Sequence, residues 1–330
     1  MKCTGNYKRR AAAAVLFFVM LLTGCGGRAY ELEQAYDVYG MRLHFQDAKT
    51  AADPSNDNLY FAKSLCVGGE DGTGAPLPEY SKKAAGAGVF YLTDGDIPYS
   101  QNIYKKLYPA STTKILTAYI ALKYGNLTDT VTVSEKAASQ SADSSVCGLL
   151  TGDTLTLEEL LYGLLLKSGN DAAEAIAEHI SGSMEEFAAL MNEEAMSLGA
   201  THSHFVNAHG LHDKEHYTCV YDLYLLFQSA LKYDAFQKII HTPKYTVTYI
   251  NGWGNQVSQE WESTDLFLTG GAKAPKGVTV LGGKTGTTKK AGYCLALYSK
   301  NAKKEPVITI VMKADSSESL YGYMGKLLGM

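Results

Sequence analysis

The sequence predicts a mixed α/β (α+β) fold, an antiparallel sheet flanked by helices with a helical subdomain inserted into it. Three observations lead there. A strand–turn–strand pattern, "GVFYLTDGDIPYS", opens the ordered pattern at Ala87. Apolar-periodic helices fill the middle of the chain. Strand patterns then return in succession through the last third.

Taken in order, residues 1–25 differ from the rest. Lys2, Lys8, Arg9 and Arg10 precede the apolar run "AAAAVLFFVMLL", too short to span a bilayer and suited to a signal peptide. The run ends in "LTGC", which resembles a bacterial lipobox and would make Cys25 the lipidated N-terminus. The expected localisation is the extracytoplasmic face of a membrane, held by that lipid. Without residues 1–25 the chain keeps 26 Lys+Arg against 34 Asp+Glu, a formal charge of about −8. Such a surface has no nucleic-acid footprint.

Residues 26–80 read as a tether or N-terminal extension. "YELEQAYDVYG" suits a short helix, while "DPSND" and "GGEDGTGAPLPEY" are turn-rich. The folded domain is expected over 81–330. After the first hairpin, a helix runs from about Ser111 to Lys123, before Gly125. "DTVTVSEKA" is strand-like, and "TLEELLYGLLLKSGNDAAEAIAEHI" forms two helices broken at "SGN". Helices follow at 184–198 and 218–232. Strands are expected at "KYTVTYI", "GVTVLGGKTG", "AGYCLALYS" and "PVITIVMKA", and a serine-capped helix closes the chain. Cys66, Cys147, Cys219 and Cys294 show no CxxC spacing, and buried free thiols are the expected state.

Ser111-x-x-Lys114 places a hydroxyl and an amine on one helical face. The spacing alone is weak, since it recurs at Ser229 and Lys232. Ser168-Gly169-Asn170 lies between two helices, and Lys284-Thr285-Gly286 in an expected edge strand. Order and setting make the triple specific. A serine is a poor nucleophile until a base takes its proton. Lys114 can be that base if burial and the nearby Lys284 cation lower its pKa. The helix N-terminus would add positive potential at Ser111.

S-x-x-K, S-x-N and K-T-G in this order resemble the motifs of penicillin-binding proteins and class A β-lactamases. "YPASTTKILTA", "FVNAHGL" and "GGKTGTTKKAGYCLAL" are similar, more narrowly, to the serine D-alanyl-D-alanine carboxypeptidases, over roughly residues 84–312. The resemblance implies a β-lactamase/DD-peptidase-like fold and a catalytic domain at 81–330. It implies an acyl-enzyme on Ser111, with Lys114 as base. Ser168 would relay a proton between Lys284 and the leaving amine. Asn170 would bind the substrate peptide, and Lys284 with Thr285 the terminal carboxylate. The amides of Ser111 and Thr287 would form the oxyanion hole. Gly286 would let the strand edge approach substrate. The implied partners are a peptidoglycan stem peptide and, as covalent inhibitors, β-lactam antibiotics; no cofactor and no metal is implied. Thr287 and Ala208 stand where the family often has histidine and proline.

Three other readings compete. His202, His204, His209, His212 and His216 fall within fifteen residues, but no HExxH motif accompanies them. A β-lactamase would need a glutamate for deacylation, and no E-x-x-L-N-like block follows "SGN". A non-catalytic binding protein would be expected to have lost Ser111, Lys114 or Lys284.

Overall fold

The computed structural model describes residues 65–67, 74, 77–141 and 144–330. Cys25, the signal segment and most of 26–80 lie outside these described residues. Residues 62–330 form one compact unit.

The strands in chain order are β1 (Gly86–Tyr91), β2 (Tyr99–Gln101), β3 (Thr130–Thr132), β4 (Thr154–Thr156) and β5 (Lys244–Ile250). β6 (Gln256–Glu262), β7 (Thr279–Thr288), β8 (Gly292–Lys300) and β9 (Pro306–Ala314) complete the set. They form two antiparallel sheets, ordered β2-β1-β9-β8-β7 and β3-β4-β5-β6. β7, which carries the K-T-G motif, is therefore an edge.

The larger sheet is buried on both faces. Along β9, Ile308, Ile310 and Met312 join the main helical core, while Val307 and Val311 join a second core under the C-terminal helix Ser317–Leu328. Two-sided burial explains why "PVITIVMKA" is continuously apolar rather than alternating. Ser316 caps that closing helix by accepting from the Ser319 amide. Tyr323 anchors it with a 2.7 Å bond between its hydroxyl and that of Tyr99, and it stacks on Tyr80 of the helix Pro78–Ser81.

The helical layer contains Lys114–Tyr124, Leu157–Tyr162, Asn170–Ser181, Met184–Ser197 and Val220–Ala230, all near their expected positions. Leu157–Tyr162 starts with a full capping box between Thr156 and Glu159. The further helix Asp234–Ile240 continues after Tyr233, inside a stretch that gave no separate signal. "KYTVTYI" forms a strand with the expected bounds but joins the smaller sheet, where only one face is covered. Its partner β6, "QVSQEWE", gave no strand signal because most of its positions face solvent. In "DTVTVSEKA" only Thr130–Thr132 is strand; Ser134 then caps a helical turn, Glu135–Ala138. All four cysteines among the described residues are buried and unpaired.

Candidate active site

Ser111 is not in the α-helix itself. It lies in a 3₁₀ turn, Ala110–Thr113, that leads into the helix at Lys114. The sequence "STT" makes this turn because the two threonine hydroxyls bond back to the carbonyls of Pro109 and Ala110, each at 2.8 Å. Ala110 is held at φ 49, a left-handed conformation unfavourable for alanine. His216 supports the turn from below. Its Nδ1 accepts from the Val206 amide at 3.1 Å, so Nε2 carries the proton and donates to Thr113 Oγ1 at 2.8 Å. Burial pushes His216 down to about 3, which keeps it neutral.

Lys114 Nζ is fully buried. It lies 3.2 Å from Ser111 Oγ, 2.7 Å from Asn170 Oδ1 and 2.8 Å from the His209 carbonyl. Burial, and then the Lys284 cation, hold its pKa well below the usual lysine range. A neutral amine has two protons and one lone pair. Both carbonyl oxygens can only accept, so they take the two protons, and the lone pair is left facing the Ser111 hydroxyl. That is the arrangement for a base.

On the other side, Lys284 Nζ donates to Ser168 Oγ at 2.9 Å and to the Thr285 carbonyl at 3.0 Å. Burial brings its pKa down to about 7, against an upward pull from Asp265. Ser168 ends a π-helical turn, Gly163–Lys167, at φ 63. A π turn and a left-handed serine both carry strain, of the kind that collects at functional sites. They aim the Ser168 hydroxyl at Lys284 while Asn170, two residues on, faces Lys114.

Ser111, Ser168, Thr285, Gly286 and Thr287 line one cavity of about 300 Å³. The residues expected to form the site are thus brought together, with two differences. Gly286 serves the protein before any substrate: a Cβ there would stand 2.8 Å from the Ser111 amide nitrogen and 2.9 Å from the Pro109 carbonyl. The strand edge packs backbone against the turn that carries Ser111. Asn170 likewise holds Lys114, its carboxamide oxygen already engaged by the amine.

Other contributors carried no readable signal. The His209 carbonyl is a backbone acceptor, which no side chain advertises. Asp171 accepts from the amides of Cys147, Gly148 and Leu149 at 2.9–3.1 Å, pinning a loop beside the groove. Ser145 of that loop, Thr264, Leu266 and Tyr321 also line the cavity. Thr264 hydrogen-bonds the Thr285 hydroxyl, and Tyr321 accepts from the Leu266 amide at 3.0 Å. The signal for Tyr321 was at best its place on the closing helix. The histidines do not gather around one point: His216 is buried and His209 half-buried, whereas His202 stands with Cys219 and Asp222, ligand atoms within 4.8 Å of one another.

Comparison with known proteins agrees with this geometry. The family model described as D-alanyl-D-alanine carboxypeptidase, Peptidase S11, matches residues 78–316. The chain is 33% identical over 262 residues to the D-alanyl-D-alanine carboxypeptidase DacF of Bacillus subtilis, covering 77% of this chain and 64% of that one. It is 33% identical over 243 residues to DacC of Escherichia coli, covering 71% and 57%. The chain therefore spans less than two thirds of the length of these curated relatives. The crystal structure of the Streptomyces K15 DD-transpeptidase superposes with a TM-score of 0.69 at 29% identity, covering 74% of this chain and 95% of that one. The match over most of the described fold, together with the site it contains, makes this chain a member of the D-alanyl-D-alanine carboxypeptidase family.

Proposed function

We propose that this protein is a serine-type D-Ala-D-Ala carboxypeptidase that removes the terminal D-alanine from peptidoglycan pentapeptides. The observation that carries this reading is the pair of buried lysines on either side of the groove, one bonded to Ser111 and the other to Ser168. Neutral Lys114 takes the Ser111 proton as Oγ attacks the carbonyl of the penultimate D-alanine. The amides of Ser111 and Thr287 stabilise the resulting oxyanion. Lys284 and the Thr285 hydroxyl hold the substrate's terminal carboxylate. Ser168, bonded to Lys284, passes a proton to the departing amine nitrogen as the peptide C–N bond breaks. Water then attacks the acyl-enzyme, and Ser111 recovers its proton. β-Lactams would acylate Ser111 by the same first step.

The membrane attachment belongs to the same proposal. It is supported by "LTGC" ending at Cys25. Among the described residues no helix is long and apolar enough to cross a membrane.

The test is D-alanine release from a peptide ending in Lys-D-Ala-D-Ala, using residues 26–330 beside Ser111→Ala. Release by the first and none by the second establishes reaction and nucleophile together. Absence of release from both removes the carboxypeptidase reading. An added amine acceptor separates hydrolysis from the transfer that names the Streptomyces structure.

A further inference from the structure

Outside the groove, Lys82, Lys83, Lys105, Lys289, Lys290 and Lys313 converge on one depression of about 580 Å³. Asp315 is the single carboxylate in its wall. All six lysines are exposed. Elsewhere Lys123, Lys136, Lys238 and Lys244 pair with glutamates, but none of these six lies within 4.0 Å of a carboxylate among the described residues. The chain as a whole is acidic, at −4. Six cations thus share one depression with a single carboxylate, Asp315, and their mutual repulsion is relieved further by an anionic partner.

The depression is built from elements fixed to one another. Lys82 and Lys83 follow the helix Pro78–Ser81, Lys105 follows β2, Lys289 and Lys290 form the β7–β8 turn, and Lys313 lies near the end of β9. Asp315 N donates to the Lys83 carbonyl at 2.9 Å, and Ala85 N to the Met312 carbonyl at 3.1 Å. Asn102 Nδ2 donates to the Ala85 carbonyl at 2.9 Å, tying in the third wall. The β7–β8 turn is seated tightly, since a Cβ on Gly292 would come within 2.6 Å of the Ala314 carbonyl. Lys313 itself is held at φ 56, a conformation unfavourable for lysine.

We infer that this face binds the anionic phospholipid headgroups of a bilayer. Six fixed cations across a broad depression match many phosphates in a plane better than one small anion. A domain tethered by a lipid is also held beside such a plane of headgroups, within reach of this face. That last step rests on the lipid-anchor reading of Cys25; the charge chemistry does not. The β7–β8 turn links this face to the groove, because Lys289 follows directly on Thr287 and Thr288. Binding would set the orientation of the tethered domain and keep the groove close to the membrane plane.

The test uses the unlipidated chain 26–330, sedimented with vesicles of phosphatidylcholine alone or mixed equally with phosphatidylglycerol. Binding is expected to the mixed vesicles only and to disappear at high salt. Lys82, Lys289, Lys290 and Lys313 all changed to glutamine should weaken it by at least about tenfold. The same charge change at Lys232, Lys273, Lys276 and Lys303 should leave most of it, with melting temperatures confirming that both variants fold. No binding to mixed vesicles at low salt overturns the inference, as does equal loss in both variants. Soluble poly(glycerol phosphate) bound in place of vesicles assigns the face to a wall polymer and overturns the bilayer. D-Alanine release is not part of the readout, so failure here and failure of the carboxypeptidase reading are distinct results.

Discussion

Gly286 and Ser111 are in backbone contact: a Cβ at residue 286 would stand 2.8 Å from the Ser111 amide nitrogen. The edge strand and the turn carrying Ser111 are thus set against each other with no side chain between them. Gly286→Ala must move one away from the other. Overpacking of this kind costs about 1–3 kcal/mol. A displacement near 1 Å at a reacting group costs on the order of 100-fold in rate. The variant should melt lower and acylate with a β-lactam about 100-fold more slowly. A normal acylation rate would show that strand and turn move together without harm.

The two lysines set opposite limbs of a pH profile. Ser111 needs Lys114 neutral, and burial with the Lys284 cation favours that form already below the ordinary lysine range. Carboxylate capture needs Lys284 charged, and its pKa is about 7. Acylation by a carboxylate-bearing β-lactam should therefore fall as pH rises through about 7 in the free enzyme. Second-order acylation rates across pH provide the check. A rate that climbs steadily through neutral and alkaline pH would remove charge on Lys284 from the mechanism.

Asp265 offers a way to shift that limb. Its carboxyl is pushed up to about 6 by burial, and Oδ2 has no hydrogen-bond partner among the described residues. Its negative charge raises the Lys284 pKa. Asp265→Asn keeps the cap on the Phe267 amide and loses the charge. The descending limb should move to lower pH. Stability should change with the sign of a raised acid: the native carboxyl favours folding when protonated, below its ordinary 3.8, and that contribution is lost as pH rises through about 6. The asparagine variant should thus gain most over the native chain above pH 6. An unmoved limb would mean that Asp265 and Lys284 are not coupled.

The residues to which the proposal gives the chemistry were legible because each sits at a fixed distance along the chain from another. Ser111 and Lys114, Ser168 and Asn170, and Lys284 to Gly286 are local patterns on a turn, an interhelical break and a strand. What supports them is long-range and silent in one dimension. The His209 carbonyl reaches Lys114 across 95 positions, and Asp265 reads as an ordinary turn residue until the fold buries it. Gly286 was legible as a glycine that something approaches closely, but not as one approached by Ser111 itself. Among the strands, β9 was plain because both its faces are covered, whereas β6 lies mostly in solvent and carries a polar sequence.

His209 and His216 should govern acid stability. Burial pushes both down to about 3 from an ordinary 6.5. The fold prefers the neutral rings, so their contribution is complete above 6.5 and is lost as pH falls toward 3. Urea unfolding over that window should show a steady fall in stability. His216→Gln keeps a donor for Thr113 and removes one titrating group. It should flatten part of the fall while costing about 1–3 kcal/mol near neutral pH through poorer bonding to the turn. An unchanged slope would assign the acid limb to other groups.

The groove also predicts how long a β-lactam adduct lasts. In the proposed reaction, once a peptide acylates Ser111 the D-alanine leaves and water can enter where it stood. A β-lactam opens its ring instead, and the freed amine remains bonded to the acyl group. It continues to occupy the side of the groove on which Ser168 and Lys284 lie. No carboxylate lines the cavity among the described residues, so no second base is displayed to activate water from another direction. Mass spectrometry after penicillin treatment should show one adduct at Ser111, absent from Ser111→Ala. It should outlast many turnovers of D-alanine release by the untreated protein. Ser168→Ala should slow peptide turnover, since proton delivery to the leaving nitrogen is lost, yet still accept the drug. Decay of the adduct as fast as D-alanine is released would reveal a water-activating group in the groove and make this chain an effective β-lactamase.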